Sequence, residues 1–207
     1  DFTGIGGFVS LANLNCSNNW SVSKVLDLTF NTQLSFLNCQ SCQLTNLDVT
    51  QNTLLDELHC SNNHFQSLNL SNNVSLTQLD AQNNFQLNTI DLTQNILLER
   101  LWVKNNGLST LDLGQNTQLD WLVFSNNSLT SIDLTNNTFL EGLICDNNQL
   151  TNLNLSQNTH LDQLNLSNNQ LTNLNVSQNT ALKYLNFSGN SIQNIDVSNL
   201  HLLRQIH

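Results

Sequence analysis

Residues 161–181 read LDQLNLSNNQLTNLNVSQNTA, and the rest of the chain is a variation on this stretch. Its apolar residues Leu161, Leu164, Leu166, Leu171, Leu174 and Val176 fall at offsets 0, 3, 5, 10, 13 and 15. Asn169 and Asn179 stand at offsets 8 and 18. The unit is nearly one half-repeat written twice. Neither half can bury its apolar edge alone, whereas stacked copies can, so the chain reads as a solenoid.

Copies of the unit begin at Leu11, Leu34, Leu55, Leu76, Leu98, Leu119, Leu140, Leu161, Leu182 and Leu203. That makes residues 1–10 a partial N-terminal cap, with Phe2, Ile5, Phe8 and Val9 placed to cover the first coil. Residues 11–207 form the solenoid, nine full repeats and a truncated tenth. The first unit carries two extra residues near Trp20 to Lys24, and the fourth carries one near Phe85 to Leu87. A short strand is expected around offsets 2 to 6, with offsets 3 and 5 inward and offsets 2, 4 and 6 outward. A second short strand is expected around offsets 12 to 16. No segment has a helical period, so the fold class is mainly β with little or no helix. Coils ~4.8 Å apart make a stack on the order of 40 Å long.

Net charge is −10 with only five Lys and Arg, which leaves no basic footprint for nucleic acid or an anionic membrane surface. No apolar run is long enough to span a bilayer. With no initiator Met, no signal peptide and a last unit cut short, the expectation is a piece of a longer protein. Charged residues make up 10% of the chain, a level seen in disorder, but the regular Leu spacing argues against disorder.

Two Asn columns run along the stack. One is Asn19, Asn63, Asn84, Asn106, Asn127, Asn148, Asn169 and Asn190, interrupted by Cys42. The other runs from Asn31 through Asn116 and Asn137 to Asn179 and ends at Leu200. An inward amide carries donors and an acceptor for turn backbone that lacks sheet partners, so both columns read as structural. The pattern L-x-x-L-x-[LC]-x-x-N-x-L with the continuation L-x-x-L-[DN]-[LV]-[ST]-x-N-T resembles the leucine-rich repeat superfamily, in its short bacterial class of nested repeats. Residues 140–160, LEGLICDNNQLTNLNLSQNTH, match that class closely, and the resemblance covers Leu11 to Ile206. It implies a right-handed solenoid and a non-enzymatic binding or adhesion module, secreted or on a bacterial cell surface, that engages partners through its concave strand face.

Cys16, Cys39, Cys60 and Cys145 occupy offset 5, where other units carry Ala81, Val103, Phe124, Leu166 and Phe187, so they read as small core apolars. Cys39 and Cys42 form a C-x-x-C one coil from His59, Cys60 and His64. Inward Cys39 and Cys60 against outward His59 speak against a metal site there. No cofactor is called for, and no nucleophile motif, H-E-x-x-H or phosphate loop points to an enzyme. The offset-14 column from Asp27 to Asp196 reads as a solvated face.

Function should lie where an outward face departs from its polar background of Asn13, Asn38, Gln78, Gln163 and Asn186. Offset 4 reads Trp102, Val123, Ile144 in successive coils, beside Arg100, Trp121 and Lys104. These residues should form an exposed apolar patch rimmed by charge, the kind of surface that binds a partner. Toward the N-terminus Glu57, His59 and Asp80 make the same face acidic. At offset 1, Glu99, Asp120, Glu141 and Asp162 stack as an uncompensated row, either a solvated rim or a seat for a cationic group. The leading reading is a module binding a protein or glycan through this patch. A stalk without a ligand is the alternative, and Thr arrays from Thr45 to Thr172 make ice binding a third, weaker reading. Self-association through the patch or through the open C-terminal strand edge is a further possibility.

Overall fold

The computed structural model describes residues 4–19 and 25–207. Ten three-residue or shorter strands, from Asn13–Asn15 in the first coil to Gln205–Ile206 in the last, form one parallel sheet in chain order. Register is the same throughout: Leu37 pairs with Leu58, Leu58 with Leu79, and Leu122 with Leu143. Strand alternation sends these central Leu residues inward, as the spacing predicts. The Leu that opens each coil is fully buried from Leu34 to Leu182, while Leu11 and Leu203 in the end coils are only half-buried. Burial of each such side chain contributes about 1.5–3 kcal/mol, so stacking of coils supplies what one coil lacks.

Seven of the ten strands leave the sheet through an Asn-Asn pair with divided labour. The first Asn takes a left-handed backbone, with φ between 54 and 59 at Asn18, Asn62, Asn83, Asn105, Asn126, Asn147 and Asn168. Asn tolerates that region better than most residues, and Gly189 takes it in the ninth coil. The second Asn forms the ladder. Asn148 Nδ2 donates to the carbonyls of Phe124 (3.0 Å) and Cys145 (3.2 Å), and its Oδ1 accepts from the Leu129 amide (3.1 Å). At the interruption, the Cys42 thiol donates to the Cys16 carbonyl at 3.0 Å, standing in for the missing amide. The other column works differently. Asn137 Nδ2 donates to Leu113 (3.1 Å) and Asn116 (2.8 Å) carbonyls, but its buried Oδ1 accepts nothing among the described residues.

The expected second strand forms a ladder only between Val25–Leu26 and Asn46–Leu47. Elsewhere among the described residues the second half-repeat is irregular or turning backbone. At offset 14 an Asp or Asn side chain accepts from the amide, and usually the hydroxyl, two residues on: Asp91 Oδ1 takes Thr93 N at 3.0 Å and Thr93 Oγ1 at 2.7 Å. The same turns follow the one ladder, at Asp27 and Asp48, so they do not by themselves exclude pairing. The column is exposed, as its reading as a solvated face expects, and it is also a row of turn locks. Before the first strand, a single 3-10 turn at Ile5–Gly7 offers the Ile5 carbonyl to Asn31 Nδ2 at 3.0 Å. Ile5 packs on the core, but Phe8 and Val9 are exposed rather than covering the coil end. Phe2 and the insertion at residues 20–24 lie outside the described residues. The extra residue of the fourth coil loops out at Phe85, which is 72% exposed.

Two consequences are measurable. Asn148→Ala loses donors and orphans a buried amide, whereas Asn137→Ala loses donors but also an unsatisfied oxygen. Urea denaturation should show a cost of about 3 kcal/mol for the first and about 1 kcal/mol for the second. In the turn locks, the hydroxyl and then the amide of Thr50 hold the Asp48 carboxyl below its ordinary value of 3.8; for Asp91 the amide of Thr93 leads. A lowered folded-state pKa stabilises above the ordinary value, and that stability is lost as pH falls through the lowered one. Asn does the same work uncharged at positions 69, 154 and 175. Replacing Asp48, Asp91 and Asp133 by Asn should therefore flatten the loss of stability as pH falls below their ordinary value of 3.8, read as the urea midpoint.

Candidate functional site

The sheet register sets the central patch. Trp102 pairs with Val123 and Val123 with Ile144, so three apolar side chains stand one strand apart on the outward face. Their exposure differs from the expectation. Val123 is buried, at 9% exposure, because large neighbours flank it in both adjoining coils. Trp102, Trp121 and Ile144 are half-buried and Arg100 is exposed. The patch is a filled strip with aromatic shoulders rather than an open apolar surface. The same coils lack the short Asx turns found elsewhere on this face, where Asn15 and Asn186 lock onto Ser17 and Ser188. Trp, Val and Ile at offset 4 have no side-chain acceptor to make that lock.

The N-terminal group is continuous with the patch, since Glu57 pairs with Gln78, His59 with Asp80, and Asp80 with Trp102. His59 stacks on Phe36 with ring centroids 5.6 Å apart, and its Nε2 lies 3.6 Å from Glu57 Oε2. Asp80, expected to be outward and available, is buried at 9% exposure. Its carboxylate accepts from Gln40 Nε2 (3.1 Å), Gln82 Nε2 (3.0 Å) and the Gln82 amide (3.2 Å), so its capacity is largely spent within the fold. Lys104, on the same face, is half-buried. The offset-1 row is not uncompensated. Arg100 Nε lies 3.6 Å from Asp120, and Lys183 Nζ reaches Asp162 at 2.9 Å from the next coil.

Three features escape a reading by offset alone. Gly142, in the middle of the patch, is buried beneath the Trp121 ring; the signal was a single glycine in a column of larger residues. A notch of about 290 Å³ lies at the sheet edge, lined by Glu99, Gln118, Asp120, Phe139, Glu141 and His160. A shallow groove of about 560 Å³ crosses the second half-repeats of three coils, floored by Ile90, Leu111 and Ile132 and flanked by Asp91, Asp112 and Asp133. It centres on Gly114, the one place in its column without a hydroxyl, so Asp112 is held by an amide alone. Among the described residues no group of three or more His, Cys, Asp or Glu is assembled to hold a metal, and no helix is long and apolar enough to cross a membrane.

No family model and no curated protein matches the chain. Solved structures do. The functional domain of the Listeria monocytogenes protein InlJ, described as including a cysteine ladder, is 34% identical with a TM-score of 0.78 over 98% of this chain and 51% of its own. An internalin, InlF, from the same organism is 25% identical with a TM-score of 0.88, over 100% of this chain and 63% of its own. A Leptospira interrogans leucine-rich repeat protein, 24% identical with a TM-score of 0.84 over 98% of this chain and 62% of its own, shares the fold. The chain thus spans between about half and two thirds of these three structures.

Here Cys16, Cys39 and Cys60 stack in the first three coils, with Cys42 beside them, and all five cysteines are free and buried. Burial, with Cys42 nearby, pushes the Cys16 thiol up to about 12, and burial raises Cys39, Cys60 and Cys145 as well. The thiolate is the reactive form. Native protein at about pH 8 should therefore leave all five thiols unlabelled by a disulfide reagent, and all five should react in guanidinium.

Proposed function

The chain belongs to the leucine-rich repeat superfamily, and from that premise we propose a non-enzymatic binding or adhesion module, part of a secreted or surface-displayed bacterial protein, that holds a protein or glycan on its concave strand face. The observation that carries this reading is the strip of Trp102, Val123 and Ile144 with Trp121 at its side. On a face otherwise furnished largely with polar side chains and short turn locks, hydrogen-bonding side chains give way to large apolar ones in three successive coils. Sheet stability does not require the exchange, because the flanking coils stack in the same register without it. Trp and Arg are the residue types that most often dominate binding energy.

Arg100, Lys104, Glu57 and His59 ring the strip and set polarity around it. Asp80 acts in this reading as a buried anchor for Gln40 and Gln82, which shape the floor between the acidic end and the aromatic centre. The likeness to InlJ and to the internalin InlF supports an extracellular setting in this reading.

The test is a parallel screen of glycans and host or bacterial surface proteins against the wild type and the single variants Trp102→Ala and Trp121→Ala. Either truncation should weaken a genuine interaction by roughly 2 kcal/mol while circular dichroism stays unchanged. Wild-type affinity in both variants would remove the strip from the binding site and leave the solenoid as a spacer.

A further inference from the structure

Trp121 does not project from the sheet as a free side chain; it lies on Gly142. The two residues are register partners in adjacent coils, and Gly142 is the only glycine at its offset in ten coils. A Cβ placed on Gly142 would fall within 2.7 Å of three adjoining indole carbons, Cδ2, Cε3 and Cζ3. Similar proximity to three neighbouring ring atoms means that the face of the ring, not its edge, meets the backbone. The glycine thus lets the indole settle flat on the sheet and turns the opposite face toward the concave space.

A ring lying flush offers no socket for an apolar knob. It offers a flat aromatic face, which attracts a flat ligand surface of polarised C–H groups. A pyranose ring has such a surface, with its hydroxyls directed outward around the rim. Long polar side chains stand where that rim would fall. Arg100 is the register partner of Trp121 on one side, and Gln163 is the register partner of Gly142 on the other; both are exposed. Arg100 supplies donors and Gln163 a donor and an acceptor. Asp120, 3.6 Å from Arg100 Nε, restrains the guanidinium. A chain of net charge −10 disfavours an acidic sugar.

We propose that Gly142 is the positioning residue that makes Trp121 a stacking platform for a pyranose ring of an uncharged glycan, with Arg100 and Gln163 binding its hydroxyls. This rests on the concave-face reading and narrows its protein-or-glycan choice to a glycan.

The experiment applies the whole chain, as wild type, Gly142→Ala and Trp121→Ala, to a printed array of mammalian and microbial glycans. The best soluble hit is then titrated by tryptophan fluorescence. The expected result is retention of an uncharged glycan by the wild type and a loss of about tenfold or more in affinity in Gly142→Ala. The added methyl lifts the ring without removing it, so the same variant should show a red-shifted tryptophan emission before any glycan is added, with unchanged far-ultraviolet circular dichroism. A blank array overturns the proposal, and so does wild-type glycan affinity in Gly142→Ala. Should that variant fail to fold, Trp121→Ala decides, because it removes the platform without adding a Cβ; retained glycan binding there overturns the proposal. A blank array together with a purified protein partner that binds wild type but not Trp121→Ala sinks the glycan assignment and leaves the concave-face reading standing. Failure of both arms sinks both.

Discussion

Everything in this fold depends on one backbone problem: a coil that returns to the same sheet every 21 or so residues must turn several times, and each turn strands amides and carbonyls inside the stack. The side-chain amide of Asn solves it between coils rather than within one. Asn148 joins two carbonyls from different coils and the amide of a third position in the preceding coil, so no rung is complete without its neighbour. The apolar core has the same character, since end-coil Leu11 and Leu203 are left half-covered where the interior leucines are sealed. Hydrogen bonding and burial therefore favour the same thing, in-register parallel stacking.

That division leaves the outward strand positions free of structural duty. Offsets 2 and 4 face away from the core, so they accept Asn, His, Trp or Ile without disturbing the ladder behind them. The cost is local. Where Asn stands at offset 4 it locks the chain two residues on, and where Trp102, Val123 and Ile144 replace it the lock is gone. The central coils have exchanged a small stabilising turn for side chains with greater capacity to hold something else. Asp80 shows the opposite choice, a carboxylate on the same face drawn down among glutamines.

Much of this was legible in the sequence, for identifiable reasons. Spacing of Leu at offsets 0, 3 and 5 carries direction unambiguously, because alternation along a strand has only two outcomes. It placed the core, the register and the outward location of Trp102, Trp121 and Arg100. Direction is not exposure, however. Val123 points outward and is buried because its neighbours lie in other coils, and Asp80 points outward and is covered by Gln40, two coils away. The second strand was misjudged for a different reason: alternation gives direction but does not by itself make a ladder, and only Val25–Leu26 and Asn46–Leu47 pair among the described residues. The Asn-Asn pair looked like one signal and is two, a left-handed residue followed by a ladder residue.

The Trp121–Gly142 contact has an implication for how such a chain can change over generations. Repeats are copied and lost by recombination between near-identical units, and a coil gained or removed at a repeat boundary preserves the core and both Asn columns. Residues that act within one coil travel with it. The indole and the glycine on which it rests belong to two successive coils, so a crossover between them separates the ring from its seat even though every coil on either side remains intact. For this contact the heritable unit is a pair of coils, and the join between the sixth and seventh cannot be shuffled without consequence.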